Sequence, residues 1–308
     1  MRLANEAGAA SGRWAVILAG GDGTRLRSLT RDMTGDDRPK QFCPVIGGHT
    51  LLEQTWRRTA SSVAPQQTMI VVTRSHEPFY EPVLARVGAQ HVVVQPANRG
   101  TAAGILYPLL RVAALAPEAS VGLFPSDHHV SDDARFMGHV EAAFAALDAH
   151  PQRVVLLGIV PDTHESEYGW IEPGDYLPGL RRPGLYTVRR FWEKPDPALA
   201  EVLRGRGCYW NSFVIVARVS ALISLIRSGA PDLHDAFAAI RPALGTADEP
   251  RAAEHLYRSL PAADFSREIL SSRPGQLGLL PVGGVVWCDL GSPERVLRTR
   301  RRFEEAVA

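Results

Sequence analysis

Short apolar runs rich in β-branched residues alternate with longer amphipathic stretches through the first half of the chain. The runs are Trp14-Ala15-Val16-Ile17-Leu18, Met69-Ile70-Val71-Val72, His91-Val92-Val93-Val94 and Val121-Gly122-Leu123-Phe124. Between them, residues 50–62, 76–87 and 101–116 carry apolar side chains at helical spacing. Strands and helices in this rhythm predict βαβ units and a mostly parallel sheet. Runs that are apolar at every position, such as Val92-Val93-Val94, predict strands covered on both faces. In such sheets ligands gather at the carboxyl ends of the strands, so the loops after Leu18, Val94 and Phe124 are where chemistry is to be sought.

After Pro151 the pattern is more strand-like, over residues 154–160, 168–172, 185–192 and 209–217, with heavy Pro and Gly punctuation. These segments are expected to extend the same sheet. Helical stretches over 218–270 lead to a short strand, Gly284-Val285-Val286-Trp287, and then to a terminal helix capped by Ser292 and opened by Pro293. The expected organisation is a flexible lead over residues 1–12 and one α/β domain over 13–308, with its halves meeting near residue 150.

Composition narrows the function. With 34 basic and 33 acidic residues the chain has no global field of the kind that gathers nucleic acid or anionic membrane, so any anion must be bound locally. All but two of the basic residues are arginine; Lys40 and Lys194 are the exceptions, which suggests sites where a compact ammonium is needed. Cys43, Cys208 and Cys288 are odd in number and far apart, against a disulfide framework or a zinc site, and a reducing cytoplasm fits best. No run approaches the ~18 apolar residues of a membrane helix.

The first loop reads Leu18-Ala19-Gly20-Gly21-Asp22-Gly23-Thr24-Arg25-Leu26. Its glycines allow close backbone approach to an anion, and Arg25 adds fixed charge. It lacks the Gly-Lys-Ser/Thr ending of a Walker A loop and the third glycine of a dinucleotide fingerprint, so the two commonest phosphate loops are excluded. Taken alone, Asp127 reads as a cap for the helix after it and Asp289 as a turn residue. His128 and His129 read as polar loop residues, not as metal ligands.

Together with Arg38-Pro39-Lys40-Gln41-Phe42, the glycine-rich loop resembles the signature of the sugar-phosphate nucleotidyltransferase superfamily, and within it the mannose-1-phosphate guanylyltransferases. The resemblance continues through Gln95-Pro96-Ala97-Asn98-Arg99-Gly100-Thr101-Ala102, Pro125-Ser126-Asp127-His128, Glu167-Tyr168-Gly169-Trp170-Ile171-Glu172, Phe191-Trp192-Glu193-Lys194-Pro195, Trp210-Asn211-Ser212 and Trp287-Cys288-Asp289-Leu290-Gly291-Ser292. It implies a Rossmann-like, GT-A-like fold with a mixed, mostly parallel sheet, a nucleotide-binding half over 13–150 and a sugar-phosphate-binding half over 151–308. The implied reaction transfers GMP from GTP to mannose 1-phosphate, giving GDP-mannose and pyrophosphate.

By the same resemblance, Leu18, Ala19, Gly20, Gly21, Gly23, Thr24, Arg25, Lys40, Gln95, Asn98, Thr101, Ala102 and Asp127 would bind the nucleotide. Gly169, Glu172, Glu193, Lys194 and Asn211 would bind the sugar phosphate. Arg25, Lys40, Lys194 and Asp127 would be catalytic, and Asp127 and Asp289 would share Mg²⁺. A homodimer is the suggested assembly, and a minimal catalytic module without an appended domain the suggested build. Two other readings stay open: the same reaction on another sugar 1-phosphate, of manno-heptose or glucose type, or with another nucleotide, and a non-catalytic nucleotide-sugar sensor.

Three departures from the family pattern stand out. Phe213 replaces the usual Gly after Trp-Asn-Ser, next to the expected sugar pocket. Ala263-Asp264-Phe265-Ser266-Arg267-Glu268-Ile269-Leu270 keeps an Asp but puts no Glu-Lys pair in register. Arg27-Ser28 stands where Trp-Pro is usual, and the charged stretch 31–37 lengthens the loop before Pro39.

Overall fold

The computed structural model describes residues 12–179 and 184–307, so the lead expected over 1–12 lies, but for Gly12, outside the described residues. Strands β1 (Arg13–Leu18), β2 (Thr68–Thr73), β3 (His91–Gln95) and β4 (Ser120–Pro125) pair in parallel in the order β3-β2-β1-β4. Helices α1 (Arg27–Thr34), α2 (Leu51–Thr59), α3 (Glu77–Val87) and α4 (Gly100–Leu115) lie between them in sequence, as the alternating pattern predicts. The start of α2 is fixed by a reciprocal capping box, in which the Thr50 hydroxyl accepts from Glu53 N–H and Glu53 Oε2 accepts from Thr50 N–H.

Alternation along β1 explains why the sheet is covered twice. Val16 packs with α4 residues such as Ile105 and Leu109 in one apolar cluster, whereas Ala15 and Ile17 join a second cluster with Trp56 of α2 and Val83 of α3. Successive strand side chains point to opposite faces, so a run apolar at every position needs a core on each side. Helix α5 (Asp133–Ala149), the helix expected after Asp127, supplies Phe136, Val140 and Phe144 to the second cluster.

The second half joins the same sheet with mixed polarity. It contributes β6 (Val154–Ile159), β7 (Gly169–Leu177), β8 (Leu185–Glu193), β9 (Tyr209–Arg218) and β10 (Leu277–Val282), and the order runs on as β4-β9-β6-β10-β8-β7. β9 lies antiparallel to both β4 and β6, and β7 antiparallel to both β8 and β9. Only seven residues, 178–184, lie between β7 and β8, and so short a connection returns a strand antiparallel. Helices α6 (Pro197–Gly205), α7 (Val219–Gly229), α8 (Pro231–Ala238) and α9 (Glu249–Ser259) follow, and α9 is tied back to α4 by Glu249, which accepts from Tyr107 Oη and Arg111 Nη1.

Two details correct the sequence reading. β10 was not anticipated, and it pairs in parallel with β6 across six residues. The strand expected over 284–287 is shorter and later: β11 (Trp287–Cys288) pairs with β5 (His129–Val130) in a separate two-stranded ribbon. The terminal helix α10 (Pro293–Val307) starts as expected, with Ser292 Oγ accepting from Arg295 N–H at 3.3 Å.

Candidate active site

A cleft of about 640 Å³ opens at the carboxyl ends of β1, β3 and β4, and its far wall comes from the second half. Leu18, Gly20, Gly21 and Arg25 line it from the first loop, and Gln95, Asn98 and Thr101 from the loop after β3. Asp127 follows β4 and Asp289 follows β11. Gly169, Glu193, Lys194 and Asn211 form the other end. Residues far apart in sequence are thus brought to one cavity of the size that holds a small ligand.

The glycine-rich loop is held by its carbonyls. Gln41 Nε2 donates to Ala19 O at 3.1 Å and Gly21 O at 2.7 Å, and Thr73 Oγ1 donates to Gly20 O at 2.9 Å. A Cβ at position 20 would stand 2.6 Å from Gln95 Nε2, so any larger residue would displace the Gln95 amide. Asp22 is fixed on both sides, by Asn98 Nδ2 at 2.8 Å and by His76 Nε2 at 3.3 Å. Asn98 Oδ1 also accepts from Gly100 N–H, so both ends of this amide serve the loops that frame the cleft.

Lys40 does not line the cavity. Its buried ammonium lies 3.3 Å from Asp127 Oδ2 and donates to the carbonyls of Asp289 and Leu290, tying the two aspartate-bearing segments together. Burial opposes ionisation of Asp127, but the Lys40 charge and His128 outweigh it and hold the carboxyl below its ordinary value. Asp127 is not a helix cap; Asp132 takes that role for α5 by accepting from Arg135 N–H. Asp289 Oδ1 accepts from Tyr168 Oη at 3.2 Å and from Gly291 N–H at 2.9 Å, with Arg295 Nε 3.3 Å away. Leu290, between them, has φ +50, a strained conformation for a non-glycine residue.

Both histidines after Asp127 are more enclosed than a polar loop implies. His128 lies in the cleft with its ring edge-on to Trp287 at 5.1 Å, and burial, only partly offset by Asp127, holds its pKa below the ordinary value. His129 is buried in β5 and packs on Phe303, its pKa lowered by burial to about 4.

At the other end, Lys194 adopts φ +47 and makes no hydrogen bond or ion pair among the described residues. Glu193 is raised above its ordinary value by burial and by Asp264, against the opposing charges of Lys194 and Arg267. The eroded segment still builds this wall: π-helical Phe265–Leu270 and the residues before it bring Asp264, Arg267 and Glu268 to the cleft. Thr101 Oγ1 accepts from Phe265 N–H at 2.8 Å, and Ala102 N–H donates to Ala263 O at 3.1 Å. Gly100, at φ +82, allows this contact, since a Cβ there would collide with the Ala263 carbonyl.

Among the residues expected in the site, Glu172, Ala19, Gly23, Thr24 and Ala102 do not line the cavity. Glu172 lies instead near Arg189, at 3.9 Å, and pairs in register with Arg190. The sequence reading gave no role to Gln41, although it sits beside Lys40, nor to Arg295. Arg295 is 5% exposed, with Nη1 3.3 Å from Glu165 Oε2. It was hidden in an arginine-rich helix where Arg298, Arg301 and Arg302 are exposed. Arg25, by contrast, is exposed and lies 3.4 Å from Glu167 across the cleft mouth.

No cluster of three or more His, Cys, Asp or Glu side chains suited to a metal occurs among the described residues. Asp127 and Asp289 nevertheless suit a magnesium ion whose remaining oxygen ligands come from phosphate and water.

Residues 14–305 match the nucleotidyl transferase family. The chain is 34% identical over 224 residues to the xanthan biosynthesis protein XanB of Xanthomonas campestris pv. campestris, covering 72% of this chain and 45% of that protein. It is 30% identical over 293 residues to a mannose-1-phosphate guanylyltransferase of Sinorhizobium fredii, covering 93% and 55%. The chain thus spans about half the length of these relatives. A solved structure described as a mannose-1-phosphate geranyltransferase from Thermus thermophilus superposes with TM-score 0.77 and 29% identity, over 91% of this chain and 76% of that one. The α/β architecture is therefore that of the nucleotide-sugar pyrophosphorylases, as the motifs imply.

Proposed function

The chain belongs to the nucleotidyl transferase family, and we propose that it transfers GMP from GTP to mannose 1-phosphate, releasing GDP-mannose and pyrophosphate. The observation that carries this reading is the convergence in one cleft of the glycine-rich loop, Asp127, Asp289 and Lys194, which arrive from four separate segments. The resemblance of these motifs to guanylyltransferases, and the similarity of the chain to a mannose-1-phosphate guanylyltransferase, support GTP and mannose 1-phosphate as the substrates.

An oxygen of the sugar phosphate, already ionised, attacks the α-phosphorus of the nucleotide. The new O–P bond forms as the bond to the bridging oxygen breaks, and pyrophosphate leaves with the electron pair. Two polyanions must meet, so positioning and charge neutralisation carry the catalysis and no protein nucleophile is required. The pinned loop after β1 holds the triphosphate, with Arg25 released from Glu167 to meet it. Lys194 holds the sugar phosphate, while Asn211 and Glu193 read hydroxyls. Asp127 and Asp289 would hold Mg²⁺, which when bound neutralises charge on the α-phosphate. Lys40 keeps these aspartates in place.

Pyrophosphate release with Mg²⁺ tests the reading across GTP, ATP, dTTP, UTP and CTP and a panel of sugar 1-phosphates. Release with GTP and mannose 1-phosphate is expected. Release only with another pair would overturn the substrate assignment, and silence in every combination would overturn the reaction.

A further inference from the structure

We propose that Phe213 determines which sugar 1-phosphates the cleft accepts, favouring those that present an apolar edge, a C–H face or a deoxy carbon, to its ring. This rests on the reading that the end of the cleft near Lys194 binds the sugar phosphate. Phe213 is one of only three non-glycine residues with positive φ among those described, at +59, and all three lie at or beside the cleft. A bulky aromatic residue enters that conformation only where its surroundings impose it.

The surroundings are visible. The pairing of β6 with β9 slips here: Leu156 faces Ile215 and Gly158 faces Asn211, so two steps along β6 match four along β9. The extra residues bulge out of β9, a device that re-aims side chains at sites. Asn211 Oδ1 accepts from Phe213 N–H at 3.0 Å. Ser212 Oγ donates to Leu157 O at 2.6 Å and accepts from Val214 N–H at 3.1 Å. The bulge therefore turns the Phe213 ring into the cleft, where it is braced edge-to-face on buried Phe265 at 6.2 Å.

The same end of the cleft is tightly filled around Gly169, where a Cβ would come within 2.9 Å of Phe191, 3.2 Å of Glu193 Oε2 and 3.3 Å of Asn211 Cβ. Asn211 Oδ1 is committed to the bulge, while its Nδ2 donates to no protein group among the described residues. This end of the cleft thus sets donors and carboxylates beside an aromatic ring with nothing to accept or donate. A hydroxyl turned toward that face loses its water without a replacement, and an apolar wall of this kind discriminates on the order of 10-fold to 100-fold.

Two variants separate the ring from the backbone. Phe213→Gly removes the ring and suits the positive φ, while Phe213→Ala removes the ring and keeps the strain. For each, kcat/KM is measured with mannose, glucose and 6-deoxymannose 1-phosphates, with KM for the nucleotide and the melting temperature alongside. Both variants are expected to lower the ratio between the best and worst sugar phosphate roughly 10-fold. The nucleotide KM is expected to stay at its wild-type value, and Phe213→Gly to melt no lower than Phe213→Ala. Unchanged ratios in variants that still turn over would overturn the proposal and leave the reaction standing. Wild-type protein that releases pyrophosphate with no sugar phosphate would overturn both.

Discussion

Two charges at the sugar-phosphate end of the cleft, Glu193 and Lys194, can be read out separately. Glu193 carries a penalty for ionising among buried surroundings, which sets its folded pKa above the ordinary 4.5. A raised acid favours the folded state most fully below its unfolded pKa, and that contribution is lost as pH rises through the folded value. Glu193→Gln should therefore melt higher than wild type at pH 7, with the gain gone below pH 4.5, even as sugar-phosphate turnover falls. Melting curves across this range check it; a variant less stable at pH 7 would contradict the burial argument. Lys194, with no competing ion pair, is free to meet a phosphate. Lys194→Met should raise KM for the sugar phosphate about 10-fold or more, the loss of a charge-assisted contact, without changing nucleotide affinity. Titration calorimetry with each substrate separates the two.

Loops become sites here because other elements hold their ends. The segment around Lys40 does this twice, through Lys40 on the 289–290 turn and through Gln41 on the glycine-rich loop. Removing two hydrogen bonds with Gln41→Ala should weaken nucleotide binding roughly 10-fold by releasing the loop, while sugar-phosphate affinity persists. An unchanged nucleotide Kd would show that the loop holds its shape without the clamp. In the β5–β11 ribbon, His129 has a folded pKa of about 4 against an ordinary 6.5, set by burial and Arg58 and opposed by Asp133. The unfolded chain takes up the proton first as pH falls, so stability present above pH 6.5 is lost progressively toward pH 4. His129→Phe should lose less of its melting temperature across that window than wild type. Parallel loss in both proteins would assign the acid sensitivity elsewhere.

Across the whole molecule, what the chain discloses before folding depends on the range of the interactions. The strands of the first half were legible because each run is apolar at every position and separated by a helix-length stretch. β10 was not, because Gly278 and Pro281 interrupt a short run whose partner, β6, lies more than a hundred residues earlier. Residues that line the cleft, such as Gly20, Asp127 and Lys194, could be named from continuous motifs. Their division of labour could not: Lys40, Asn98 and Thr101 prove to hold protein segments, and Glu172 stands outside the cavity. Phe213 was visible as a departure, but the bulge that aims its ring depends on the pairing of β6 with β9.

In the proposed reaction one cleft joins a nucleotide to a sugar phosphate through Asp127 and Asp289. Its most direct test is pyrophosphate and GDP-mannose formation from GTP and mannose 1-phosphate with Mg²⁺, in wild type, Asp127→Asn and Asp289→Asn side by side. Equal amounts of the two products are expected from wild type, with a fall on the order of 10²-fold or more in each variant that still melts cooperatively. Near-wild-type turnover in either variant, or no product from wild type, would contradict it.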